Sequence, residues 1–261
     1  GKMLISKKDK LAITFKDDKY TYEQLLRYSQ IYADKFSLES QPEKILICAQ
    51  NSPEWCFAFY GAMRCKSIVV PLDAQSTKKE IEYVINDCRP DIVFISDDKK
   101  EMFADLNLQN ARLMTKDDVV LSDDDKIPAT DIPLGNLDDT MLINYTSGTT
   151  GNPKGVMLSF KNVMFNVDSV SKQVPIFQED SNVMVLLPLH HILPLLGSLV
   201  APLYMGGTLH IAEAMNAESI IKTLNAGKVS IIIGVPRLYD MLVKGVMNKI
   251  NASFVTRLLY K

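Results

Sequence analysis

The sequence predicts an α/β fold that is doubly wound, with mostly parallel sheets covered by helices. Two observations support this prediction. Short apolar runs alternate with helical patterns throughout the chain, and many of the helical patterns open on residues that cap helices. Strand–helix–strand order of this kind places helices on both faces of a parallel sheet, with right-handed connections.

Composition and charge narrow the class of protein. The chain has 261 residues, of which 47% are hydrophobic and 23% charged, so a disordered, collagen-like or coiled-coil chain is excluded. With 29 basic and 31 acidic side chains the net charge is -2, which provides no field for a polyanion. We therefore expect no nucleic-acid partner. The length fits one large domain or two smaller ones.

Residues 1–116 are predicted to form a first α/β subdomain. It opens with a hairpin of Leu11–Phe15 and Lys19–Thr21, and Thr21 with Gln24 forms a capping box for a helix that ends at Phe36. Ser52, followed by a proline and a glutamate, starts the next helix. The further elements predicted here are strands at Lys44–Ala49, Ser67–Pro71 and Asp91–Ser96, and helices at Pro53–Cys65 and Thr77–Cys88.

Residues 117–140 differ in composition from the rest. This segment has eight aspartates and a single basic residue, Lys126. The aspartates lack the ordered spacing of a calcium-binding loop. We predict a solvated acidic connector between two subdomains.

Residues 141–261 are predicted to form a second α/β subdomain. Ser159 caps a helix that runs to Lys172, and a final amphipathic helix begins at Asn251. The other predicted strands are Met141–Asn144, Asn182–Leu187, Thr208–Ile211 and Val229–Gly234, and the other predicted helices are Ile192–Tyr204, Ala217–Ala226 and Pro236–Met247.

The apolar stretch Val183–Met205 does not predict a membrane-spanning helix. Three prolines and the pair His190–His191 interrupt it. The four cysteines form no C-x-x-C pair and lie in or beside apolar runs, so we expect buried free thiols and a cytoplasmic location. His210 lies within a strand pattern, and we expect a structural role for it.

The segment Tyr145–Val156 carries the strongest chemical signal. Between Thr146 and Gly155 it has four hydroxyl side chains, three glycines, one proline and Lys154. Glycines let several backbone N–H groups point at one place, and a lysine adds a positive charge, which together suit a phosphate. The segment is not a Walker P-loop, because the pattern would require glycine at Pro153. Composition alone leaves phosphate binding and a flexible small-residue turn both open.

The order of residues in Tyr145–Val156 resembles the signature loop of the adenylate-forming superfamily, which includes acyl-CoA synthetases, luciferases and the adenylation domains of peptide synthetases. Three further segments are similar to segments of that family: Gly61–Asp73, Pro188–His191 and Gly234–Tyr239. The last is typical of fatty acyl-CoA synthetases. The likeness covers most of the chain and identifies it as resembling the N-terminal portion of such an enzyme, truncated and without the family's C-terminal domain.

The resemblance implies a set of site residues. Those expected to touch the phosphates of ATP are Thr146, Ser147, Gly148, Thr149, Thr150, Gly151 and Lys154. Thr146 is the expected magnesium ligand. His191, and less directly His190, is expected beside the substrate carboxylate, which makes Lys154 and His191 the candidate catalytic residues.

The implied reaction is ATP-dependent acid–thiol ligation, with Mg²⁺ as cofactor and CoA as co-substrate. The acid would be a fatty acid of long or medium chain, the protein would at most touch a membrane peripherally, and the 261 residues alone would be inactive. Two alternatives remain open. One is a domain that loads an amino or aryl acid onto a carrier protein, and the other is a non-catalytic nucleotide- or acyl-binding module.

Overall fold

The computed structural model describes residues 1–146 and 151–259. In these ranges the strands are β1 (Lys2–Leu4), β2 (Leu11–Phe15), β3 (Asp18–Thr21), β4 (Lys44–Cys48), β5 (Ile68–Pro71), β6 (Ile92–Ile95), β7 (Arg112–Met114), β8 (Ile132–Pro133), β9 (Thr140–Thr146), β10 (Lys154–Ser159), β11 (Asn182–Val185), β12 (Thr208–Ile211) and β13 (Ile231–Ile232).

The helices in the same ranges are α1 (Tyr22–Phe36), α2 (Pro53–Arg64), α3 (Lys78–Cys88), α4 (Lys100–Ala104), α5 (Phe160–Asp168), α6 (Ile192–Pro194), α7 (Ala201–Tyr204), α8 (Ala217–Gly227) and α9 (Pro236–Leu259). Short 3₁₀ helices occur at Asp97–Lys99 and Lys116–Asp118, and π-helical segments at Ser169–Gln173 and Leu195–Val200. No helix in the described ranges is long and apolar enough to cross a membrane.

Two large sheets organise the molecule. A six-stranded sheet has the order β10-β9-β5-β4-β6-β7 and is parallel except at the edge pair β9–β10. A five-stranded sheet has the order β13-β11-β12-β2-β3 and is parallel except at the edge pair β2–β3. Mostly parallel sheets flanked by helices confirm the predicted fold class.

The two sheets exchange strands along the sequence. The first hairpin, β2–β3, belongs to the five-stranded sheet with strands from after residue 180, and β9–β10 extends the six-stranded sheet of the first half. The two strands of a hairpin are close in sequence. The further strand that each hairpin lies beside is determined by side chains that are distant in sequence. The predicted division at residues 117–140 therefore stays a prediction, and the sheets themselves run across it.

Helix starts follow the local sequence closely. Thr21 accepts a hydrogen bond from Gln24 N–H at 3.2 Å while the Gln24 side chain accepts from Thr21 N–H, which is a complete capping box. Thr77 and Glu80 repeat this arrangement at α3. Ser52 accepts from Trp55 N–H at 3.1 Å at the start of α2. These three predicted caps are confirmed, because a cap depends only on the nearest residues.

The structure differs from the sequence prediction at several elements. Lys154 and Gly155 belong to strand β10 rather than to the loop, because this segment pairs with β9. The helix predicted to stop at Met247 and a second one from Asn251 are a single helix, α9, since no glycine or proline separates them. The predicted continuous helices to Lys172 and over 192–204 each contain a π-helical segment.

The connector 117–140 is held against the N-terminal part of the chain. Asp123 accepts a hydrogen bond from the Tyr28 hydroxyl at 2.6 Å, and Asp131 accepts one from Ser6 N–H at 2.8 Å. Ile132 is fully buried in the main core. Some of its aspartates are thus structural acceptors, although many others in the segment are exposed as predicted.

All four cysteines are free and buried, as predicted. Burial raises the pKa of the Cys48 thiol to about 12 and that of the Cys88 thiol to about 11. Thiols with such pKa values hold little thiolate at neutral pH. We therefore expect them to be packing residues.

His210 has the structural environment that the sequence suggested. Its side chain is buried, with Nδ1 2.7 Å from Thr14 Oγ1 and Nε2 2.8 Å from Asn182 Oδ1. A neutral ring satisfies both partners when Nε2 donates to the amide oxygen and Nδ1 accepts from the hydroxyl. Burial lowers the pKa of His210 from its ordinary 6.5.

Helices α1 and α2 are in close contact at Gly61. A Cβ at this position would lie 2.8 Å from Tyr32 Cβ and 3.2 Å from the carbonyl oxygen of Ser29. Both neighbours are fixed, one by the core and the other by the helix backbone. The close approach therefore requires glycine.

We predict that Gly61→Ala destabilises the protein by about 1–3 kcal/mol, because the added methyl overpacks the α1–α2 contact. Helix propensity alone predicts the opposite, a gain of about 1 kcal/mol. Urea unfolding measures the difference, and Asn86→Ala, on the exposed face of α3, is the control. A more stable Gly61→Ala variant would contradict the packing described here.

The lowered pKa of His210 predicts that the stability of the protein depends on pH. The pKa of His210 is lower in the folded than in the unfolded protein. Its contribution to the free energy of unfolding is therefore fully present above about pH 6.5 and is lost as the pH falls. Urea unfolding at pH 7.5 and pH 5.0 should show a smaller loss of stability in His210→Gln than in the wild type. Equal losses in both proteins would contradict the prediction.

Candidate functional site

The candidate phosphate loop connects the two antiparallel strands β9 and β10. Thr146, the last residue of β9, pairs with Lys154, the first residue of β10, and both are exposed. A hydroxyl and an ammonium side chain therefore lie on paired residues at the loop end of the hairpin. The other predicted phosphate contacts, Ser147, Gly148, Thr149 and Thr150, lie outside the described residues.

Gly151 adopts a backbone conformation that favours glycine. Its φ is +90°, and no described atom lies within 4 Å of the position that a Cβ would take. Open space beside a glycine backbone is what the close approach of a ligand requires. Gly151 as a phosphate contact stays a prediction.

The hairpin is tied to helix α3 through Tyr145, which lies close to the loop end. The Tyr145 hydroxyl donates to Asp87 Oδ2 at 2.6 Å, and its ring lies over Gly155, where a Cβ would be 3.1 Å from Cζ. Burial raises the pKa of Tyr145, so its hydroxyl stays a neutral donor. Sequence reasoning did not find this contact.

The two candidate histidines lie on a turn between β11 and α6. His191 is exposed and is the N-cap residue of α6, while the His190 side chain is only 13% exposed. Their ring centroids are 3.9 Å apart, and His190 Nε2 lies 3.7 Å from Asp73 Oδ2. The contact with Asp73 brings a third polar group to the same place.

The His190 ring is neutral at neutral pH. Burial is the largest cause that lowers its pKa, the neighbouring His191 lowers it further and Asp73 opposes them, so that the pKa is about 4. A neutral His190 can support the neighbouring ring by contact. The exposed ring of His191 is the one that a ligand in solution can reach.

The histidine turn and the phosphate hairpin meet through Asn144. This residue lies on β9, two positions before Thr146, and its Nδ2 donates to the carbonyl oxygen of His190 at 3.2 Å. The structure therefore brings together the two segments that the sequence singled out separately, 46 residues apart.

A cleft of about 370 Å³ lies at the carboxyl ends of parallel strands from both sheets. Ligands of open α/β sheets bind at such edges. His190 and Asp73 line it, whereas Thr146, Lys154 and His191 are not among its lining residues. The other lining residues are Phe15, Ala49, Gln50, Asn51, Ala74, Gln75, Leu186, Pro188, Leu189, Ala212, Glu213, Ala214 and Met215.

A magnesium site made of protein carboxylates is not present among the described residues, where no group of three or more His, Cys, Asp or Glu could hold a metal ion. Mg²⁺ in nucleotide sites takes much of its coordination from phosphate oxygens and water and few ligands from the protein. The exposed hydroxyl of Thr146 has the oxygen chemistry that such a site needs. Thr146 as a magnesium ligand stays a prediction.

The turn that carries the histidines is also anchored by Asn51. Its Nδ2 donates to the carbonyl oxygen of Leu187 at 2.9 Å, and its Oδ1 accepts from Leu189 N–H at 3.0 Å. Sequence reasoning did not single out Asn51. The one available signal was its place between a buried strand and the helix cap at Ser52.

Comparisons with known proteins report on the family and the fold of this chain. Residues 5–258 match the family model described as "AMP-binding enzyme". A feruloyl-CoA synthase from Amycolatopsis is 24% identical over 200 residues, which are 77% of this chain and 40% of that protein. Long-chain-fatty-acid–CoA ligase 1 of Schizosaccharomyces pombe is 37% identical over 116 residues, which are 42% of this chain and 17% of that protein.

Solved structures with the same fold are also similar to this chain. The ATP-bound crystal structure of MatB from Rhodopseudomonas palustris superimposes with a TM-score of 0.78 at 25% identity, covering 91% of this chain and 48% of that one. The chain thus spans about half the length of its structural relative and less of the two enzymes above. Since the family model matches nearly its whole length, the chain belongs to the family of AMP-binding enzymes.

Proposed function

We propose that this chain is the N-terminal part of an ATP-dependent carboxylic acid ligase, which forms an acyl adenylate and then a thioester with CoA. The observation that carries the proposal is the contact between Asn144 and the backbone of His190. The contact joins the hairpin that we propose for the phosphates to the turn that carries His190, a residue that lines the cleft. Similarity to two CoA-dependent enzymes and to an ATP-bound structure supports it.

The reaction creates an electrostatic problem that these residues can solve. A carboxylate must approach the triphosphate, and two unit charges about 4 Å apart repel by about 4 kcal/mol at an effective dielectric constant of about 20. The ammonium group of Lys154 and the N–H groups of the loop would offset this repulsion. Bound magnesium would add positive charge beside the phosphates, with the Thr146 hydroxyl among its ligands.

The proposed chemistry balances in two steps. A carboxylate oxygen forms a bond to the α-phosphorus while the bond to the bridging oxygen of pyrophosphate breaks, and pyrophosphate leaves. The thiol of CoA then forms a bond to the acyl carbon and loses its proton, while the bond to the adenylate oxygen breaks and AMP leaves. The acyl adenylate must be protected from water between the steps.

Each candidate residue has a role in this scheme. Lys154 and Gly151 would bind the triphosphate, together with Thr146, Ser147, Gly148, Thr149 and Thr150. His191 would lie by the acid and the α-phosphate because its ring is exposed, while His190, neutral and mostly buried, would support it.

For the acid we propose a fatty acid of long or medium chain. The helical segment after His191 is strongly apolar and includes Leu193, whose side chain is 54% exposed. The second candidate is an aromatic acid, which similarity to a feruloyl-CoA synthase favours. Loading of an amino or aryl acid onto a carrier protein would use the same first step. We further propose a cytoplasmic enzyme without a nucleic-acid partner.

The experiment that tests the proposal is ATP–pyrophosphate exchange with the enzyme that contains this sequence, screened over carboxylic acids. Exchange with fatty acids of long or medium chain supports the proposal, and exchange with aryl or amino acids only would replace its substrate. Absence of exchange with every acid, together with retained ATP binding, would leave a non-catalytic binding module instead.

We predict that Lys154→Ala lowers the rate of exchange by about 100-fold, because one aimed positive group is lost where charge develops. Its melting temperature should not change, since an exposed lysine contributes little to stability. Lys161→Ala, an exposed lysine on α5, is the control and should exchange normally. Normal exchange in Lys154→Ala would remove Lys154 from the site.

A further inference from the structure

One carboxamide joins the carboxyl ends of the two large sheets. Asn51 follows β4, which has parallel neighbours on both sides in the six-stranded sheet. Its two hydrogen-bond partners, Leu187 and Leu189, follow β11, which has parallel neighbours on both sides in the five-stranded sheet. The amide therefore connects interior strands of both sheets at the edge where the cleft lies.

Asn51 stands on a rigid support. Ser52, the next residue, caps α2, and Trp55 in the first turn of that helix is 1% exposed and stacks on Phe59. On the other side, Gln50 N–H donates to the Ser96 hydroxyl at 3.2 Å. A side chain held in this way can impose its position on its partners.

The two bonds of Asn51 fix the orientation of the turn that it holds. Its amide donates to one backbone group and accepts from another two residues later, so the segment 187–189 cannot rotate without breaking one of them. Asn144 holds the next residue through the His190 carbonyl. The turn is thus held by hydrogen bonds at residues 187, 189 and 190, just before His191.

We propose that Asn51 is a positioning residue for the ligase reaction. Its carboxamide fixes the backbone of residues 187–189, which line or adjoin the cleft, and thereby determines the position of the His191 imidazole that follows them in the same turn. Asn51 acts through this turn and not on the reacting atoms. The proposal rests on the proposed function for the identity of the reaction, but the positioning itself is testable without it.

The first test uses this chain and its three histidines, whose ring C–H signals in NMR spectra report on His190, His191 and His210 separately. Asn51→Ala should shift the signals of His190 and His191 and leave that of His210 in place. It should also move the pKa of His190, which Asp73 and His191 face, from about 4 toward 6.5. Asn51→Leu keeps the branched shape of the side chain but removes both hydrogen bonds, and it should act in the same way.

The matched control is Thr21→Ala, which removes a helix cap away from the cleft. It should lower the melting temperature to a similar extent without moving the signals of His190 and His191. If the Asn51 variants leave both signals and the titration of His190 unchanged, the proposal is wrong. The same holds if Thr21→Ala moves them as much as Asn51→Ala does.

The second test is kinetic and uses the enzyme that contains this sequence. Asn51→Ala and Asn51→Leu should lower kcat for ATP–pyrophosphate exchange by about 10- to 100-fold, because a small displacement of an aligned group is costly. The KM for ATP should stay within about twofold. Equal effects on kcat and on the KM for ATP would indicate a general structural role and overturn the proposal. If even the wild type shows no exchange, the proposed function fails while the NMR test still decides about Asn51.

Discussion

The arrangement of the candidate site depends on one constraint, which is that the carboxyl ends of two parallel sheets meet at a single edge. All strands of a parallel sheet end on the same side, so the loops after them converge. Here β4 and β5 of one sheet and β11 and β12 of the other deliver their loops to the same cleft. The hairpin β2–β3 from the first part of the chain belongs to the five-stranded sheet, and the hairpin β9–β10 belongs to the six-stranded sheet. These two hairpins connect the sheets along the chain.

Burial gives two neighbouring histidines different properties. His190 and His191 are adjacent and in ring contact, yet one is mostly buried and neutral and the other is exposed. The four cysteines are also buried, whereas Lys154 is exposed opposite Thr146. An accessible lysine therefore lies at the hairpin, where we propose that the triphosphate binds.

The parts of the fold that sequence reasoning predicted are those decided locally. The caps at Thr21, Ser52 and Thr77 follow from neighbouring residues, and the parallel sheets follow from the alternation of apolar runs and helices. The pairing of β2 with β12 was not predicted because it depends on packing between distant segments. The continuation of α9 beyond Met247 was also missed, although no glycine or proline separates the two helices that the sequence suggested.

The same distinction applies to the site. Lys154 and Gly151 were selected by the composition of their segment together with its resemblance to the adenylate-forming family, and the histidine pair by that resemblance. The structure places the hairpin and the histidine turn in contact. Asn51, Asn144 and Tyr145 were missed because their contacts join segments between 46 and 138 residues apart. An asparagine or a tyrosine has no distinctive spacing in sequence when its partner is a backbone group or a helix elsewhere in the fold.

The most direct test of the central claim, that the hairpin β9–β10 binds the charged end of a nucleotide, is a crystal structure with ATP and magnesium. We expect the triphosphate between the two strands, within hydrogen-bond distance of Lys154 Nζ and close to the Thr146 hydroxyl, with His191 facing the α-phosphate. A triphosphate bound elsewhere, while the loop between these strands donates its N–H groups to protein atoms, would contradict the assignment.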